Sequence, residues 1–73
     1  MSYPVINLEA TVRNIRNIIL ERNISVADIS SFLGINRSSV YKVMRGEAVF
    51  SLDNMFALST LLDTTVNDMI VAR

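Results

Sequence analysis

Apolar residues recur along this chain at helical spacing, and no run alternates apolar and polar positions between hairpin turns. Val12, Ile15, Ile18 and Ile19 share one arc with Leu8 beside them, so a first helix is predicted from about Leu8 to Arg22, capped by Asn7. Leu20 points nearly opposite that stripe, so it is expected on the surface or against a second subunit. Asn23 suits a left-handed position after the helix, the second choice there after glycine. Ser25 and Asp28 form a capping-box pattern ahead of Ile29, Phe32 and Leu33, and Gly34 permits a sharp turn. Asn36 is expected to cap a third helix, Arg37 to about Arg45, which buries Val40 and Val43 and ends at Gly46. After a loop from Glu47 to Phe50, Ser51 caps a fourth helix with Leu52, Met55, Phe56, Ser59 and Leu62 on its inner side. Thr65 starts a short fifth helix whose Val66, Met69 and Ile70 close the core. The pattern predicts an all-α chain of five helices and a single domain, 1–73, without repeat, linker or low-complexity tract.

Size and composition narrow the chemistry. Seventy-three residues lie near the lower limit for a core that folds without staples. With no cysteine and no histidine, no disulfide, thiolate site or imidazole ligand is available, so stability must come from apolar packing. The 51% hydrophobic content is generous for such a core, and the surplus favours self-association. Met44, Met55 and Met69 are read as core filler. Apolar runs are too short to span a membrane, and MSYPVINLEA lacks the pattern of a secretory signal, so a cytoplasmic location is expected. No glycine-rich phosphate loop or catalytic constellation is present, and Tyr41 lacks the partners a tyrosine nucleophile needs. Asp63 and Asp68 are read as helix-boundary acids, not metal ligands. No cofactor, metal or small-molecule substrate is expected.

The charge distribution is more informative than its zero sum. Through Gly46 there are six basic residues against three acidic ones, whereas Glu47 onward holds four acids and Arg73. The two parts therefore carry about +3 and −3, which lets one side meet phosphates while the other faces away. Arg13 and Arg16 are assigned to the surface or to intramolecular pairs in preference to DNA contacts. Arg37, Lys42 and Arg45 lie on the third helix, which contains no acid.

The segment "SVADISSFLGINRSSVYKVMRG", Ser25 to Gly46, reads as two helices crossing through a short turn. Such a crossing needs a small residue where the axes approach, here Ser30, a turn, here Gly34, and apolar anchors. Ile29, Leu33, Ile35, Val40 and Val43 supply the anchors. That leaves Arg37, Ser38, Tyr41, Lys42 and Arg45 on the free face of the third helix.

This segment, with "FSLDNMFALSTLL" and "TTVNDMI", resembles the Xre/Cro, or lambda-repressor-like, helix-turn-helix family over roughly Ala10 to Ile70. The resemblance implies a five-helix fold whose third helix enters the major groove of double-stranded DNA. Carried over by position, Arg37, Ser38, Tyr41 and Lys42 are the base-facing residues, while Ser25, Asn36 and Arg45 are expected at phosphates. It also implies a bacterial or phage transcriptional regulator, usually a repressor, that binds an inverted repeat as a homodimer. Leu20, Phe50, Leu61, Val71, Tyr3, Val5 and Ile6 are candidates for the dimer surface. Val26 stands where many members carry a phosphate-bridging glutamine, and Asp63 where glycine is usual. The same fold also serves antitoxins and coactivator-type adaptors whose main partner is a protein, a reading favoured by Val26, the neutral charge and the apolar surplus.

Overall fold

A computed structural model describes residues 5–73. It contains helices α1 (Leu8–Arg22), α2 (Val26–Leu33), α3 (Arg37–Met44), α4 (Leu52–Leu61) and α5 (Val66–Met69). Local sequence signals place nearly every boundary. The Asn7 side chain accepts from Ala10 N at 3.1 Å, and Asn23 ends α1 in the left-handed region, φ 57°. Ser25 and Asp28 close both arms of the capping box, at 3.0 and 3.2 Å. Ser51 and Thr65 cap α4 and α5 through Asn54 N and Asp68 N. Asn36 holds the N-cap position of α3 but, contrary to expectation, its side chain makes no capping hydrogen bond.

Gly34 has φ 68°, and a Cβ there would meet nothing within 4 Å, so the backbone angle and not crowding calls for glycine. Asp63 adopts the same region at φ 53° without that freedom.

Ile15, Ile29, Val40, Val43, Leu58, Leu62 and Met69 form the core, in which α2 packs on both α3 and α4. Met69 is buried, and Met44 and Met55 pack against the core as filler. Two readings of the sequence are overturned here. Phe50, placed on the dimer surface, is a core residue only 9% exposed. Leu52 and Phe56, placed on the inner side of α4, are 82% and 70% exposed. The buried arc of α4 runs instead through Met55, Leu58, Ser59 and Leu62. Apolar residues surround most of this helix, so spacing alone defines no unique face, and contact with α2 and α5 selects one. Phe50, just before α4, supplies core volume that Leu52 and Phe56 do not. Leu61 is half-buried against the core and Val71 is half-buried, whereas Leu20, Val5 and Ile6 are exposed as expected. Tyr3 lies outside the described residues.

One feature has no counterpart in the helical pattern. Ile6 and Ala72 form an antiparallel bridge, with Asn7 N donating to Val71 O and Arg73 N to Val5 O, both at 2.7 Å. Asn14 Nδ2 adds bonds to the carbonyls of Asp68 and Met69 at 2.9 and 3.1 Å, which ties α1 to α5.

Candidate nucleic-acid interface

The α2–α3 turn is built by more than small volume. Ser30 Oγ donates to Ile35 O at 2.5 Å, while the N–H groups of Gly34 and Ile35 donate to Ser30 O at 2.9 and 3.1 Å. Ser30 thus satisfies a turn carbonyl as well as permitting close approach, a role that its size alone does not reveal.

On α3, the fully buried Val40 and the buried Val43 fix the helix to α1 and α2. At 100° per residue, Arg37, Ser38, Tyr41, Lys42 and Arg45 fall within an arc of about 140° on the opposite side. All five are exposed, so the structure brings the four base-facing candidates together on one outward ridge. Among the described residues, neither Arg37 nor Lys42 takes part in an ion pair. The three residues expected at phosphates differ in their surroundings. Ser25 Oγ accepts from Asp28 N, which leaves its O–H free to donate. Asn36 is exposed at the start of α3, with no side-chain cap over the first N–H groups, where the helix dipole favours an anion.

Arg45 is already engaged. Its Nε lies 2.5 Å from Glu47 Oε2 and its Nη2 3.4 Å from Oε1, both side chains being half exposed. The hydrogen bond and the attraction between the charges hold the Glu47 carboxyl below its ordinary range and raise the Arg45 guanidinium above its own. Lys42 adds a small pull on Glu47 in the same direction. Glu47, the ion-pair partner of Arg45, is not singled out by the helical pattern. Its position two residues after Arg45 is the signal, since a loop folding back over the helix end brings them together.

Elsewhere, an apolar groove of about 420 Å³ has Ile6, Leu8, Val49 and Leu52 among its lining. Among the described residues no cluster could hold a metal ion, and no helix is long and apolar enough to cross a membrane.

This architecture is shared. The family model HTH_3, helix-turn-helix, matches residues 13–69, and the chain belongs to that Xre, lambda-repressor-like family. A similar solved structure is the restriction-modification controller protein C.AhdI from Aeromonas hydrophila, 27% identical, TM-score 0.77, covering 86% of this chain and 96% of that one. The hypothetical transcription factor NHTF from Neisseria has a TM-score of 0.76 at 17% identity, covering 89% of this chain and 75% of that one, and so supports the fold alone. No curated protein matches the chain.

Proposed function

We propose that this protein is a sequence-specific DNA-binding transcriptional regulator, a repressor that binds an inverted-repeat operator as a homodimer in the cytoplasm. The observation that carries this reading is the ridge of Arg37, Ser38, Tyr41 and Lys42, projected away from the anchors Val40 and Val43. Arg37 is suited to a guanine, whose O6 and N7 accept two bonds from one guanidinium, a contact worth about 1–3 kcal/mol of discrimination. Lys42 acts similarly with less rigidity, and Tyr41 packs on a thymine methyl or donates to a phosphate. Ser25, Asn36 and Arg45 position the domain on the backbone. A single half-site gives limited selectivity, and the exposed Leu52, Phe56, Val49 and Leu20 offer apolar surface for a twofold partner. No catalytic step is assigned to it.

Selection of bound duplexes from a random pool tests this reading. The expected result is a twofold-symmetric sequence whose enrichment disappears in Arg37→Ala/Lys42→Ala while helicity and melting are preserved. Unchanged selection by that double variant removes the ridge from the mechanism.

A second reading, a protein-interaction module of the antitoxin or adaptor type, is favoured by the exposed Leu52 and Phe56 and by Val26, half-buried against the core. Affinity for random duplex that falls steeply with salt separates the two, because an adaptor has little such affinity to lose.

A further inference from the structure

Beside the ridge lies a second cationic feature that the third helix alone does not account for. A groove of about 450 Å³ lies between α1 and the end of α3, lined by Arg13, Arg16 and Arg45 together with Met44 and Gly46. Arg13 and Arg16 are three residues apart, so they stand on one face of α1, both exposed. Glu9, also in the lining, lies 3.5 Å from Arg13 in an exposed i,i+4 pair. Among the described residues Arg16 takes part in no ion pair.

We propose that this groove binds the sugar-phosphate backbone of the duplex read by α3, extending the contact from the recognition ridge onto α1. The inference rests on the DNA-binding reading of the ridge. Arg45 joins the two surfaces: it lines the groove and is three residues from Lys42, on the same face of α3. A strand leaving the ridge past Lys42 and Arg45 therefore enters the groove that Arg13 and Arg16 also line. The pairs Arg13–Glu9 and Arg45–Glu47 are solvent-exposed, so both guanidiniums can exchange a carboxylate for a phosphate without an uncompensated buried charge. An acidic peptide is the competing occupant. Continuity with the ridge favours the nucleic acid, because a peptide would draw on Arg45 without using Lys42 or Arg37.

Arg13→Ala/Arg16→Ala tests the assignment, with binding to selected and random duplexes followed across salt concentrations. Each phosphate contact contributes about 0.9 to the logarithmic salt slope, so the slope should fall by roughly 1.8. Affinity near 0.1 M salt should drop on the order of tenfold per arginine, equally for both duplexes. Arg13→Lys/Arg16→Lys should restore most of the slope, and circular dichroism should report an unchanged fold. A wild type that binds duplex DNA beside a double alanine variant with the same slope overturns the groove and leaves the ridge intact. A wild type that binds no duplex overturns both. Loss of polyglutamate binding with duplex affinity retained assigns the groove to acidic peptides and rejects the proposal.

Discussion

Thr11 and Val71 are sixty residues apart in sequence, yet Thr11 Oγ1 accepts from Val71 N at 2.9 Å and donates, more weakly, to Val71 O at 3.3 Å. Thr11 is buried, so its hydroxyl satisfies backbone groups that water reaches poorly. Thr11→Val keeps the shape and removes the hydroxyl. It should cost about 1–3 kcal/mol, since a partly buried N–H is left without its acceptor. Thermal unfolding should show a fall of several degrees; an unchanged midpoint would mean that the bridge between Ile6 and Ala72 holds without Thr11.

Phe50 and Phe56 should respond in opposite ways. Truncating the buried Phe50 to alanine removes core volume and should cost about 3–5 kcal/mol, a large share of the stability of so small a fold. Phe56→Ser, at an exposed site, should change monomer stability by no more than about 0.5 kcal/mol. If α4 forms the contact between copies, Phe56→Ser with Leu52→Ser should also shift sedimentation toward monomer. An unaltered concentration dependence would move the contact to another surface.

Asp63 pays for a left-handed backbone that glycine adopts freely. Asp63→Gly should therefore raise the melting temperature by a few degrees, the relief of about 1–2 kcal/mol of strain being partly offset by added freedom in the unfolded chain. Gly34→Ala should have the opposite sign, because φ 68° is strained for any residue with a Cβ even in open space. A stabilised Gly34→Ala would contradict the turn geometry.

Glu47 should restrain DNA binding. Glu47→Gln frees Arg45 for a phosphate, so affinity for any duplex should rise and the salt slope should steepen by up to about one unit. The pH dependence follows from the same pair. A carboxylate held below its ordinary range stabilises the folded chain above its unfolded pKa, and that contribution is lost as pH falls through the lowered value. With both partners exposed, the effect on melting should be slight, and the restraint on DNA binding should relax below the ordinary carboxylate range. Equal affinity in Glu47→Gln and wild type would show that the pair does not compete with DNA.

Much of this fold could be read from short stretches. A serine or threonine two or three residues from the N–H it caps, and an asparagine or glycine after a helix, act through neighbours in the chain. Asn7, Ser25, Asn23, Gly34, Ser51 and Thr65 therefore stand where the sequence places them. The outward ridge was legible for the same reason: once Val40 and Val43 are buried, helix geometry sends Arg37, Ser38, Tyr41 and Lys42 to the other side. Ser30 was half legible, its size evident and its hydrogen bond to Ile35 not.

What the sequence by itself determined is the set of helices, their ends and the direction of the basic side chains, because those depend on bonds spanning a turn or less. Tertiary structure alone decided which apolar residues of α4 are covered, that Phe50 turns inward, that the two ends of the described chain pair, and that Arg13, Arg16 and Arg45 share a groove. Each of those outcomes depends on where other helices lie. A helix apolar around most of its circumference can bury several alternative faces, and only its packed neighbours select among them.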